Sequence, residues 1–448
     1  KEMNSSAIIS SEMNFKNHRV FHYTLAGRPL VIETGKVAGL ANGSVMIQYG
    51  ETTVLACATA SASPREGIDF LPLSVDYDEK MYAVGKIPGG FLKREGKPSE
   101  KAVLAGRVID RPVRPLFPKD LRNDISLLLT IMSVDPDCSP EITAMIGASI
   151  ALSISDIPWN GPIGGVFVGM TEEDGIIMNP TSAQREKSVL ELTVAASAAK
   201  VVMIEAGANE IDNDTMFEGI MKGHEANQQI VEFIKGIQAE IGKPKFSYEH
   251  AAFDEELFEK LVANEFESME YCMDTDDKNV REERLTAARI DFKNQFVEKY
   301  GEEEFEMHIE VCLYKMQKKV VKKWLLEGKR VDGRGMDDIR PLDAEVGVLP
   351  RVHGSGLFSR GQTQVLSICT LNTLSAAQKL DTIYPEETKR YIHHYNFPSF
   401  STGEARAARS TSRREIGHGA LAEKALLPVI PSVEEFPYCI RVVSEVLS

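Results

Sequence analysis

The chain has 448 residues, a net charge of −15 and an ordinary 43 % of apolar residues. That balance excludes a disordered chain and argues against a general nucleic-acid coat, and the length suits about three domains. Six cysteines with no CxxC spacing exclude a cysteine metal knuckle and fit a reducing, cytoplasmic setting, with Cys57 and Cys369 in apolar runs expected to be buried.

Residues 1–18 read as a flexible, polar lead-in without an apolar signal core, and the longest uncharged helical run, 142–155, is too short to span a bilayer. Short alternating strands are then expected at Val20–Leu25, Arg28–Thr34, Ser44–Tyr49, Thr52–Thr59 and Asp69–Tyr77. A Gly- and Pro-rich loop, 85–98, carries Phe91, Lys93, Arg94 and Lys97, with Leu92 beside the aromatic. Ser99 is placed to cap a helix, which the three prolines of DRPVRPLFP, 110–118, are expected to break, leaving Arg111 and Arg114 exposed. Residues 86–119 hold nine Lys/Arg against three acids, net +6, although Lys86 stands too isolated for a role of its own.

A strand at Ile125–Val134 and a long helix opened by Ser139 or Pro140 follow. Strands are expected at Val166–Gly169, Ile176–Met178, Ser188–Ala195 and Val201–Glu205, then an amphipathic helix 215–241 capped by Asp214. From 245 to 327 proline vanishes, and 13 Lys/Arg face 21 Asp/Glu on helical spacing, for example Leu257, Leu261, Phe266, Phe292, Phe296 and Tyr300. We read an all-helical packing insert of at least three helices, its charge runs being solvated faces.

Strand patterning returns at Gly328 and repeats the start of the chain. Gly43-Ser44, Gly50, Thr52 and Val54-Leu55 match Gly354-Ser355, Gly361, Thr363 and Val365-Leu366 at an offset of 311, and Arg94-Glu95 matches Arg414-Glu415 at 320. Two copies of one α/β domain joined by a helical insert are therefore expected. The densest chemistry lies in the second copy: Arg406, Arg409, Arg413 and Arg414, then Gly417-His418-Gly419 and a helical run from Ala420 to Leu427. Arginine forks at a helix start suit phosphate; composition alone leaves a solvated basic loop equally open, and for His418 the residues alone favour a packed structural histidine.

The motifs GGFLKREGKPSEKAVLAGRVIDRPVRPLF (89–117), EGKRVDGRGMDDIRPL (327–342), HGSGLFSRGQTQVL (353–366) and RREIGHGALAEKAL (413–426) resemble the polynucleotide phosphorylases of the RNase PH superfamily, over nearly the whole chain. The resemblance implies an α/β (α+β) architecture: a first RNase PH-like domain at 19–243 (the non-catalytic copy, lining an RNA channel), an all-α domain at 244–327, and a second, incomplete RNase PH-like domain at 328–448. It implies a phosphorolytic 3′→5′ exoribonuclease, reversible toward polymerisation, that uses inorganic phosphate and Mg²⁺ and assembles as a homotrimeric ring around single-stranded RNA, with room for partners of an RNA-degradation complex and no membrane association. Arg413, Arg414 and His418 fall on active-site positions, the two arginines binding phosphate. Phe91, Lys93, Arg94, Lys97, Arg107, Arg111 and Arg114 fall on the RNA path, where stacking and basic groups hold single strands without reading sequence; Leu92 stands where a second aromatic would stack, and Arg107 equally fits a helix-face ion pair. Metal carboxylates are not identified: Asp332, Asp337 and Asp338 sit where turn roles are expected. The alternative to the enzyme is a non-catalytic RNA-binding ring; a hydrolytic nuclease is disfavoured for want of clustered metal ligands.

Overall fold

The structure, a computed structural model, describes residues 15–65, 68, 70–248, 255–300, 302–407 and 410–448. Asp69, Arg409, most of the lead-in and the side chains of Leu257, Leu261, Phe296 and Tyr300 lie outside the described residues. The chain divides into two compact units, one formed by 1–248, 346–357 and 365–448, the other by 249–345 and 358–364.

In the first unit, β1 (Arg19–Leu25), β2 (Arg28–Thr34), β3 (Gly43–Tyr49) and β4 (Thr52–Pro64) form an antiparallel run, β1 to β4 in order. Their alternating residues explain this: Leu30, Ile32, Val45, Ile47, Val54 and Ala56 point to one face and are fully buried. The chain then makes β5 (Leu73–Glu79), crosses over through α1 (Glu100–Val113) and returns as β6 (Asn123–Ser133). β5 lies parallel to β6, and β6 enters between β5 and β4, completing the six-stranded sheet β1-β2-β3-β4-β6-β5. Ser99 caps α1 as expected, accepting from the Ala102 N–H at 2.9 Å.

Helix α2 (Pro140–Ile154), capped by Ser139, is buried along nearly its whole length and packs on β3, β4 and the next strand, β7 (Gly164–Thr171). Its serines do not strand polar groups: Ser153 Oγ donates to Ser149 O at 2.7 Å, and Ser149 Oγ accepts from Ile163 N at 2.9 Å. β7, β8 (Gly175–Met178), β9 (Leu190–Ala196) and β10 (Val201–Ala208), with α3 (Ser182–Lys187) after β8, make a second sheet in the order β10-β9-β7-β8. α4 (Asn213–Ile241) covers it, and its cap is Asp212, not Asp214: the Asp212 carboxylate accepts from Thr215 N at 2.8 Å.

The other unit holds α5 (Glu255–Met273), α6 (Lys278–Tyr300) and α7 (Glu302–Leu326), around Met269, Cys272, Phe292, Cys312, Met316 and Trp324. Residues 328–341 are turns rather than strand: Asp338 accepts from Gly335 N at 2.7 Å and Asp332 pairs with Arg334 at 2.9 Å. The strand pattern resumes only at β11 (Leu342–Val346).

Further along the chain, β12 (Gly354–Arg360) and β13 (Thr363–Asn372) precede a small hairpin, β14 (Gln378–Lys379) with β15 (Thr388–Lys389), then β16 (Tyr391–Asn396), α8 (Arg413–Leu426) and β17 (Cys439–Val446). β16 and β17 are parallel and joined through α8, and β17 inserts beside β13, so β12-β13-β17-β16 repeats β3-β4-β6-β5. Gly50 and Gly361, at matching tight turns, both have positive φ, 56° and 60°. The Arg94–Arg414 match fails, however, because Arg94 lies in a loop and Arg414 in the first turn of a helix. The helices align instead at an offset of 313, which pairs Ser99 with Ser412, Gly106 with Gly419, Pro115 with Pro428 and Pro118 with Pro431.

α1 ends at Val113, within the stretch 110–118 expected to break it, with Pro112 in its last turn. Two further expectations are corrected. Arg114 is not exposed but half-buried. Cys57 and Cys369 are half-buried, whereas Cys138, Cys272, Cys312 and Cys439 are buried, and all six are unbridged. Among the described residues no helix is long and apolar enough to cross a membrane.

Glu270 ties α5 to α7, accepting from Lys323 Nζ at 2.8 Å and from Trp324 Nε1 at 2.7 Å. The Lys323 and Trp324 hydrogen bonds hold its carboxyl below the usual range. Its stabilisation is therefore complete above the ordinary carboxylate pKa and lost as pH falls through the lowered value. Glu270→Ala is expected to cost about 1–3 kcal/mol and to abolish that acid limb, read from Trp324 fluorescence in urea titrations at descending pH.

Candidate anion site at the start of α8

The first turn of α8 is held by a complete capping box. Ser412 Oγ accepts from Glu415 N at 3.3 Å, and Glu415 Oε2 accepts from Ser412 N at 2.7 Å. The other Glu415 oxygen accepts from Phe397 N at 2.9 Å, fixing the helix start to the end of β16. The helix therefore begins at Arg413, seven residues earlier than the expected Ala420, and both arginines occupy its first turn. The uncapped N–H groups there carry the positive end of the helix dipole.

The two arginines have different surroundings. Arg413 turns to the first copy, where Nη1 donates to Val75 O at 2.7 Å and Nη2 pairs with the Asp76 carboxylate on β5. Arg414 lies 5.6 Å over the Phe397 ring and makes no ion pair among the described residues. One turn on, His418 meets Tyr395 edge-on at 5.0 Å between ring centroids. Burial, then the neighbouring charges of Arg414 and Arg107, hold the His418 pKa below the ordinary imidazole value.

Arg107 comes from α1 of the first copy. A Cβ on Gly417 would stand 2.6 Å from Arg107 Nε, so only glycine lets this guanidinium lie against α8. Gly419 serves the opposite face: a Cβ there would approach His393 O to 3.1 Å, so α8 lies close on β16. The Gly-His-Gly motif thus clears both sides of the helix, with His418 in the field of both Arg107 and Arg414. Arg107 makes no ion pair among the described residues, so the helix-face partner expected as one reading is not present.

The other basic candidates divide in two. Arg111 pairs with Glu205 of β10 at 3.0 Å, and Arg114 braces Asp110 at 2.8 Å and the Leu71 and Leu73 carbonyls. Phe91, Leu92, Lys93, Arg94 and Lys97 are exposed on their loop, Phe91 at 99 % and Leu92 at 83 %. Lys93 adopts φ 49° and reaches back to Gly89 O at 3.3 Å. Arg406 pairs with Glu404 at 3.5 Å.

Sequence reasoning missed Asp76, Tyr395 and Phe397. The alternating aromatics of YIHHYNF, 391–397, on the strand before Gly-His-Gly were the available signal. Among the described residues no three His, Cys, Asp or Glu side chains form a set able to hold a metal ion, so none of these residues is assigned to the Mg²⁺ that the resemblance implies.

The model of the 3′ exoribonuclease family, domain 1 (RNase PH), matches residues 26–158 and again 338–448, and that of domain 2 of the family matches 161–226. The helical unit matches the model described as "Polyribonucleotide nucleotidyltransferase, RNA binding domain" over 256–335. Proteins named polyribonucleotide nucleotidyltransferase are similar along almost the entire chain. The one from Ruminiclostridium cellulolyticum is 56 % identical over 428 residues, 95 % of this chain and 60 % of the relative. The one from Lachnoclostridium phytofermentans is 55 % identical, covering 96 % of this chain and 62 % of the relative, and that from Caldicellulosiruptor bescii 53 %, covering 96 % and 61 %. The chain thus spans about three-fifths of the length of these curated relatives. Among solved structures, "Crystal Structure of rice(Oryza sativa) Rrp46" is 16 % identical with a TM-score of 0.38, covering 49 % of this chain and 94 % of that one, too slight a likeness to bear on the site. Two matched copies of one domain around a matched helical unit make the fold a mixed α/β one, and the chain belongs to the 3′ exoribonuclease family of RNase PH domains, in the arrangement of the polyribonucleotide nucleotidyltransferases.

Proposed function

We propose that the chain serves in phosphorolytic 3′→5′ degradation of single-stranded RNA, with Arg414, His418 and Arg107 as the anion-handling groups and Arg413 as the residue that sets the helix start in place. One observation carries this reading: two guanidinium groups with no acid partner among the described residues lie near an imidazole at a capped helix N-terminus. In phosphorolysis a phosphate oxygen bonds to the terminal phosphorus, the P–O3′ bond to the preceding ribose breaks, and a nucleoside diphosphate leaves. Two anions must come together, so fixed cationic donors in a partly desolvated site lower the barrier. Arg414 presents a fork suited to a phosphate, Arg107 opposes it from the other copy, and an uncharged His418 supplies an N–H without adding to the repulsion between cations.

The exposed Phe91 with Lys93, Arg94 and Lys97 suits the backbone and bases of an RNA strand, and the helical unit adds to the RNA path in the same reading. The homotrimeric ring, further RNA-degradation partners and a reducing cytoplasmic setting belong to it as well, the last in keeping with six unbridged cysteines. We assign the Mg²⁺ requirement to the reaction and route no step through the metal.

Poly(A) incubated with phosphate, Mg²⁺ and the protein is expected to release ADP; AMP release, or no phosphate dependence, overturns the reading. Arg414→Ala is expected to lower that rate about 10²–10³-fold, the usual loss for one oxyanion donor, with the fold retained by circular dichroism. Arg107→Gln removes a cation beside His418 and is expected to move its NMR titration midpoint upward; an unmoved midpoint would mean that Arg107 does not face it.

A further inference from the structure

We propose that the hairpin 380–387 of the second copy is a strap that sets the stance of the Phe91 loop, and that Asp381 is its positioning residue. The inference rests on the reading of that loop as an RNA contact.

The strap is closed at its base by Leu380 N donating to Glu387 O at 2.8 Å, between the short strands β14 and β15. Its tip is anchored in the first copy. Ile383 is buried in that copy's hydrophobic core, and Tyr384 packs against it. Tyr384 OH donates to Glu141 at the start of α2 and lies 3.4 Å from Tyr77 OH on β5. Lys101 Nζ sits 4.4 Å over the Tyr384 ring and pairs with Glu386 at 2.9 Å. The tip therefore has one fixed position relative to β5, α1 and α2.

From that anchored tip, two contacts reach the Phe91 loop. Asp381 Oδ2 accepts from Gly89 N at 2.6 Å, and Lys86 Nζ donates to Thr382 O at 3.4 Å. Gly89 is the node of the loop: its N–H is held by Asp381 and its carbonyl by Lys93 Nζ. A Cβ at Gly89 would stand 2.9 Å from Asp381 Oδ2, so glycine is needed for the carboxylate to seat. Phe91 and Lys93 lie two and four residues beyond, in a segment whose other anchor is Met81 N to Glu95 at 3.2 Å. A loop that must present an exposed aromatic and two cations to a single strand loses affinity when its base is free to wander, because the ordering cost then falls on binding. Asp381 touches no RNA in this scheme; it acts through Gly89.

The test is the affinity of the full chain for a fluorescent single-stranded oligo(A), by anisotropy without phosphate, so that it is independent of turnover. Phe91→Ala is expected to weaken binding about tenfold and Asp381→Ala about three- to tenfold. Asp381→Ala added to Phe91→Ala is expected to cost nothing further, since both act through one loop. Asp381→Asn, which keeps an acceptor for Gly89 N, is expected to recover most of the affinity, and the KM for phosphate is expected to stay unchanged in each variant. Undiminished binding by Asp381→Ala with Phe91→Ala impaired overturns the strap; additive losses in the double variant overturn its action through the loop. If Phe91→Ala binds as the unaltered chain does, the loop is not an RNA contact and both readings fall.

Discussion

Everything at the candidate site depends on the close approach of α1 and α8. The two helices belong to different copies of one domain, yet a guanidinium from one lies where the other has no side chain, at Gly417. Arg413 holds the approach from the helix start by gripping Val75 O and Asp76. Lys389 adds a bridge behind it, 2.7 Å from Glu423 on α8 and 3.5 Å from Glu100 at the start of α1. Without that seam, Arg107 would be one more surface cation and His418 would face solvent.

The seam also explains how an acidic chain keeps a local cluster of cationic groups. Unpartnered guanidinium groups repel one another and their partial burial is unfavourable, so most proteins pair them. Here the acids nearest the site are engaged elsewhere. Glu415 is held by the cap and the Phe397 N–H, Asp76 by Arg413, Asp110 by Arg114, and Glu205 by Arg111. Three arginines thereby pair three of these carboxylates and the cap hydrogen-bonds the fourth, and among the described residues Arg107 and Arg414 are left without an ion pair near His418. The depressed His418 pKa follows first from burial and then from the same arrangement, since a third positive charge in that space is disfavoured.

Local chemistry was legible in the sequence, and long-range pairing was not. Ser99 and Ser139 were readable as caps because a hydroxyl before a helical pattern has one common use, and the structure has both. Asp212 and Asp214 are equivalent in propensity, and only the geometry of the turn selects the first. The proline-rich stretch was legible too: α1 stops at Val113, inside 110–118, with Pro112 in its last turn. The offset of 320 failed because identical dipeptides carry less information than a cap, a close-approach glycine and two prolines in register. The separation of Arg107 from Arg111 and Arg114 was invisible: all three lie on one basic stretch, and the partners that occupy two of them stand up to 94 residues away.

The repeat also accounts for why the two copies differ in chemistry. At the offset of 313, Glu100 stands where Arg413 does, Lys101 where Arg414 does, and Ala105 where His418 does. The first copy keeps the cap and the close-packed glycine, so α1 sits on β5 as α8 sits on β16, but an acid replaces the leading arginine. Glu100 is drawn to Lys389, with His394 3.8 Å away, and Lys101 to Glu386 and the Tyr384 ring. Lys101, at the position of the anion-handling candidate Arg414, thus binds the other copy instead. One copy has turned its helix start into a joint, and that joint is what brings Arg107 to the helix start that stayed open.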